Sequence, residues 1–124
     1  MKLRIKGNSL RIRLTRSEVD SFAIAGYLEE KTIFSNQVLV YTLEAKPGIP
    51  ALQASFEGTK ITMYVPAEIP AIWAANEVVG YDNTIETGNG NTLYLLLEKD
   101  FKCIDAPPSE DQSDNFDNPH KVCW

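Results

Sequence analysis

Met1-Lys2-Leu3-Arg4-Ile5-Lys6-Gly7-Asn8-Ser9-Leu10-Arg11-Ile12-Arg13-Leu14-Thr15 alternates apolar with polar, mostly basic, residues on both sides of a Gly-Asn pair. A period of two is that of a β-strand with one buried face. Glycine leading a two-residue loop suits a type II′ turn, whose twist matches the flanking strands. Such a turn sets Ile5 opposite Leu10 and Leu3 opposite Ile12 on one apolar face. The other face pairs Arg4 with Arg11 and Lys2 with Arg13. A slip of one residue would mix the two faces, so the pattern itself supports the register.

The hairpin runs into a helix. Thr15 and Glu18 have the capping-box spacing, and Val19, Phe22 and Ala23 form an apolar stripe that Gly26 can end in a left-handed cap. A short extended stretch near Thr32–Phe34 and a strong β run at Val38–Leu43 follow. Pro47-Gly48-Ile49-Pro50 breaks the pattern. Beyond it the scheme returns: with Gly58 laid on Gly7, Phe56 falls on Ile5, Ile61 on Leu10, Met63 on Ile12 and Val65 on Leu14. One residue removed before the second helix puts Ile69 on Val19 and Ile72 on Phe22. Pro66 and Pro70 should keep that helix short. Asn83–Asn91 reads as turn-rich, with a hairpin loop at Gly88-Asn89-Gly90-Asn91. Thr92–Leu97 answers Val38–Leu43, and Tyr94-Leu95-Leu96-Leu97, apolar on both faces, reads as a central strand.

The expected fold class is α+β: a mostly antiparallel curved sheet or partly open barrel of about eight strands with two short helices. The chain reads as a single domain, 1–124, divided into a first repeat (1–46), a second repeat (51–101) and an acidic C-terminal tail (102–124). Shared hairpin–helix physics is the alternative to true duplication.

The 124 residues carry a net charge of −5, unevenly spread. Residues 1–50 hold eight basic against five acidic side chains, and residues 51–124 hold four against twelve. That balance argues against bulk attraction to nucleic acid or anionic lipid. No run approaches the roughly 18 apolar residues of a membrane span. With no apolar signal core ahead of the first strand and two cysteines, a cytoplasmic setting with thiols is expected.

Candidate sites are few. Lys2, Arg4, Lys6, Arg11 and Arg13 on one face ask for an anion, since like charges opposite one another cost about 0.2–1 kcal/mol per pair. An acidic or phosphate-bearing partner would serve, as would an intramolecular one. Nucleic acid is disfavoured, because that face lacks aromatics for stacking bases. The tail from Asp105 to Pro119 is polar and acidic, and either packs near the basic hairpin, pinned by Phe116 and Trp124, or is disordered. Cys103, His120 and Cys123 are zinc-competent but make one close pair rather than two, with Asp105 or Asp117 needed to complete four ligands. Buried or solvent-exposed thiols are the plainer reading, and no cofactor is expected. Glu110, Asp111, Asp114 and Asp117 lack the glycine and closing glutamate of a calcium loop. Glu98 and Asp100, closing the central strand, are the carboxylates available for acid–base work. The common nucleophile, phosphate-loop and metalloprotease motifs are absent.

The opening Met1–Thr15 stretch, Glu98-Lys99-Asp100-Phe101-Lys102-Cys103, and Glu110-Asp111-Gln112-Ser113-Asp114 with Asn118-Pro119 together resemble a family of small uncharacterised bacterial proteins. The resemblance covers nearly the whole chain and implies a bacterial, cytosolic, stand-alone domain without supplying an activity. The functional expectation is a non-catalytic binding or interaction module without a membrane partner. The alternative is a small metal-binding protein or enzyme using the C-terminal Cys/His/acidic region.

Overall fold

The computed structural model describes residues 1–101 and 114–116. The chain runs β1 (Lys2–Ile5), β2 (Ser9–Leu14), α1 (Arg16–Ala25), β3 (Tyr27–Ile33), β4 (Val38–Lys46), β5 (Gln53–Glu57), β6 (Lys60–Pro66), α2 (Ile69–Ala75), β7 (Gly80–Gly88) and β8 (Asn91–Lys99). The order hairpin, helix, hairpin is traversed twice. One sheet is ordered β1-β2-β8-β7 and the other β3-β4-β6-β5. In the opening hairpin Lys2 faces Arg13, Leu3 faces Ile12, Arg4 faces Arg11 and Ile5 faces Leu10, as the alternation requires. Gly7, at φ 54°, supplies the left-handed first position of the turn.

The fold is α+β with eight strands and two helices, but the expected sheet needs correction. It is mixed rather than purely antiparallel, with four antiparallel pairings and two parallel ones. β2 runs parallel to β8, from Ser9 against Tyr94 to Leu14 against Lys99, and β4 runs parallel to β6, from Val40 against Lys60 to Lys46 against Pro66. Nor is it one curved sheet or a closing barrel, because the strands divide into two separate mixed sheets. Each hairpin meets its neighbour through its second strand, and these second strands run the same way. Alternation within a hairpin cannot reveal which strand faces the next one.

This arrangement gives the molecule two unlike ends. The second strands β2 and β6 both lead into helices, and α1 and α2 pack against each other. The parallel registers place the four hairpin turns at the other end. Between the ends lies one core from both sheets and both helices: Leu10, Ile12, Leu14, Leu95 and Leu97 meet Leu43, Met63 and Val65, with Val19, Phe22 and Trp73 above them.

The helix end is closed by specific bonds. Four amides have no partner within the first turn of a helix. In α1, Arg16 N–H donates to the Asp114 carbonyl (2.9 Å), Ser17 N–H to Asp114 Oδ1 (3.1 Å) and Glu18 N–H to Thr15 Oγ1 (3.4 Å), and Val19 N–H makes the first regular helical bond, to the Thr15 carbonyl (3.0 Å). Thr15 N–H in turn donates to Glu18 Oε1 at 2.9 Å, completing the capping box. Gly26, at φ 67°, ends the helix in the left-handed region. α2 is short, with Pro70 in its first turn, and its last carbonyl region is closed by Lys99, whose Nζ donates to the Asn76 carbonyl at 2.8 Å.

Three local expectations differ from the structure. The extended stretch expected near Thr32–Phe34 is a full strand, Tyr27–Ile33, starting directly after the α1 cap. The turn-rich segment Asn83–Asn91 is largely strand β7, and its turn lies only at the Gly88–Asn91 loop. Its polar residues suit an edge strand, and Asn83 satisfies its amide by donating to the Leu52 carbonyl at 2.9 Å. Ile72, expected to pack like Phe22, is 55% exposed, whereas Trp73 is fully buried and donates Nε1–H to the Val78 carbonyl.

Candidate functional site

Two residues of the basic face of the first hairpin, Lys2 and Arg13, find anions within the fold. Because β8 lies beside β2, Glu98 stands level with Arg13. Arg13 Nε donates to Glu98 Oε1 at 2.6 Å, and Arg13 Nη1 lies 3.8 Å from Asp100 Oδ1. Lys2 Nζ sits 2.9 Å from Asp100 Oδ2, close enough for an ion pair but without the alignment of a hydrogen bond. Asp100 is buried, with Lys2 and Arg13 as its ion-pair partners. The structure thus joins two of the expected anion-binding residues, Lys2 and Arg13, to both acid–base candidates, Glu98 and Asp100. Arg4 lies next to Arg11 on the same face and also interacts within the fold. Lys6 is exposed at the turn.

The opposite side of that strand end carries Lys99. Burial and the charge of Arg16 push its ammonium below its ordinary pKa. It stands 5.6 Å from the Trp73 ring centroid and 5.2 Å from that of Phe116. Phe116 is held here by its N–H, which donates to the Asp100 carbonyl at 2.8 Å, by Phe101, and by Arg16 over its ring at 4.7 Å. Asp114–Phe116 therefore docks where α1 begins and β8 ends, with Asp114 serving as a helix cap. Hydrogen bonds from Ser17 and Thr15 hold the Asp114 carboxyl below the ordinary carboxylate value. Cys103, His120 and Cys123, with Asp105, Glu110, Asp111, Asp117 and Trp124, lie outside the described residues. Among the described residues, no group of three or more His, Cys, Asp or Glu side chains is arranged to hold a metal.

A depression of about 500 Å³ lies by Gly80, Asp82, Leu96 and Glu98. Its two carboxylates already have partners: Asp82 accepts from Tyr94 Oη at 3.0 Å, and Glu98 accepts from Arg13. Burial and then Asp82 raise the Tyr94 phenol above its ordinary pKa.

The turn end offers different chemistry. A cleft of about 530 Å³ opens there between the two sheets. Ile5, Leu10, Ile85 and Leu93 line it from one sheet. Leu39, Ala54, Phe56 and Ile61 line it from the other. Ile5 is 60% exposed and Phe56 69%, whereas Leu10 at the depth of the cleft is 6% exposed. Ile33, Phe34 and Val38, at the tip of the adjoining hairpin, are also exposed. Among the described residues, no charged side chain lines the cleft. Three of its polar side chains are already bonded: Asn8 Nδ2 donates to the Thr92 carbonyl, Ser9 Oγ donates to the Lys6 carbonyl at 2.6 Å, and Ser55 Oγ meets Tyr64 Oη at 3.2 Å; Thr87 also lines the cleft. The volume and lining match those of a small-molecule pocket, which typically measures about 300–1,000 Å³ and is mostly apolar.

Sequence reasoning missed this site. Ile5 and Phe56 were legible as inward-facing residues just before a turn glycine. Their exposure depends on the two sheets parting at that end, which no strand pattern encodes.

Fold and site together define a small two-sheet α+β domain, plugged by helices at one end and open at the other. Residues 1–120 match the family described as "Family of unknown function (DUF7009)", and the chain belongs to it. No curated protein and no solved structure matches the chain. No helix among the described residues is long and apolar enough to cross a membrane.

Proposed function

We propose that the protein is a non-catalytic binding module whose site is the cleft at the turn end. The observation that carries this reading is the open apolar space of about 530 Å³ with Ile5 and Phe56 exposed at its mouth. Exposed contiguous apolar surface on a small domain marks interaction sites, since leaving it in water is unfavourable. The candidate acid–base pair supports this choice by contrast: Glu98 and Asp100 are engaged by Arg13 and Lys2 as structural ions.

A duplicated hairpin–helix–hairpin unit is part of the proposal. In its support, Leu10–Leu95 and Ile12–Leu97 in one parallel pair recur as Ile61–Tyr41 and Met63–Leu43 in the other. A cytosolic bacterial setting also belongs to it, with the cysteine count and the family resemblance in its favour.

The test is methyl NMR of the protein titrated with 2-naphthol, a compact neutral apolar probe. The expected result is saturable shifts confined to the methyls of Ile5, Leu39, Ile61, Ile85 and Leu93. Shifts spread evenly over the surface, or none, would reject the cleft as a binding site.

A further inference from the structure

Resting on that reading, we infer that the partner at the turn end is a second copy of this chain, the two copies meeting turn end to turn end about a two-fold axis. The first support is a tip that the fold does not need. In both sheets the parallel registers carry one hairpin past its neighbour. β4 begins two residues before Val40, the first to face β6, and β8 begins three before Tyr94, the first to face β2. With their turns, the β3–β4 and β7–β8 hairpins therefore reach about 10 Å beyond the other two. These tips are alike in place and opposite in chemistry. In one, Glu86 faces Thr92 and Gly88-Asn89-Gly90-Asn91 makes the turn. In the other, Ile33 faces Val38 at the same level, and Phe34 follows. The polar tip shows that folding alone does not call for apolar residues there.

The second support is area. Ile5, Ile33, Phe34, Val38 and Phe56 are all exposed at this end. Large apolar side chains offer about 150–250 Å² each, so these exposed fractions leave on the order of 600 Å² of apolar surface per copy. A standard interface takes about 800 Å² from each partner, which the surrounding turn residues can complete.

The third support is charge. In a two-fold contact both copies bring the same charges, so a charged face repels itself. Among the described residues that join the strands at this end, only Lys6 is charged. Glu57 and Lys60, next to the β5–β6 turn, face each other within the copy. The turn end is therefore compatible with its own image, although the whole chain carries −5.

Sedimentation velocity of the full chain tests this. The wild-type protein should pass from monomer to dimer with a dissociation constant of about 10 μM. Phe34→Ser and Phe56→Ser should each weaken the dimer at least about tenfold, because each change removes a buried ring twice per dimer. Ile24→Ser, at an 89% exposed position on α1, should alter it by less than about twofold. Both phenylalanines are exposed in the single chain, which keeps their variants folded and informative.

A chain still monomeric at about 500 μM would overturn the inference. So would a dimer indifferent to Phe34→Ser, or monomers that sediment instead with phosphatidylcholine vesicles. If the chain is monomeric while 2-naphthol shifts the cleft methyls, self-pairing fails and the binding reading stands. If it is monomeric and the methyls do not shift, both fail.

Discussion

The two ends of this molecule are built from the same elements and treated in opposite ways. At the helix end, α1 and α2 bring Phe22 and Trp73 over the sheets, and both rings are fully buried. There Asp114 and Thr15 satisfy the α1 amides, and Lys99 closes α2. At the turn end the inner faces continue as Ile5, Phe56, Ile61 and Leu93, and among the described residues no helix covers them. Stability explains the first end. The second leaves large side chains such as Phe56 in water, so a role outside folding has to be sought there.

That contrast can be broken or sharpened by substitution. Trp73→Ala should have the largest effect, costing about 3–5 kcal/mol in urea unfolding, because it empties a large volume under the helices. A loss no greater than that of an exposed residue would show that the helix end is not the keystone. Gly80→Ala comes next, at about 1–3 kcal/mol. A Cβ there would clash with the Leu97 carbonyl oxygen and the Glu98 backbone, so β7 would have to move away from β8. A neutral result would mean that the two strands part easily. Thr15→Ala should cost about 1 kcal/mol through the lost cap. A neutral result would mean that Asp114 alone holds the start of α1.

Acid titration tests the smallest of these contacts. The folded-state pKa of Asp114 is depressed, so its contribution is present above the ordinary carboxylate value and fades as pH falls through the lowered one. The Phe116 ring resonances should therefore move toward unfolded values in strong acid. Resonances that hold their neutral-pH positions would show that ring packing, rather than the carboxylate, secures Asp114–Phe116.

Much of this architecture is legible in the chain. The turn at Gly7, the register from Lys2–Arg13 to Ile5–Leu10, the box of Thr15 and Glu18, and the central place of Tyr94–Leu97 all follow from short-range pattern. What stays hidden is long-range. The parallel seams form between segments some eighty or twenty residues apart, and one β pattern serves either direction equally. Strand β7 was obscured because an edge strand tolerates Asn83, Thr84 and Glu86, which read locally as turn formers. For the site, the basic residues were visible, but their engagement by Glu98 and Asp100 depends on β8 lying beside β2. The cleft depends on how far two sheets diverge, a property of packing that no local window carries.

The most direct test of the central claim is one variant read in two ways. Phe56→Ser should leave the melting transition within about 0.5 kcal/mol of the wild-type protein. In the same sample, 2-naphthol affinity should fall about tenfold. A large loss of stability would make Phe56 part of the core, and unchanged 2-naphthol binding would remove the cleft as the binding site.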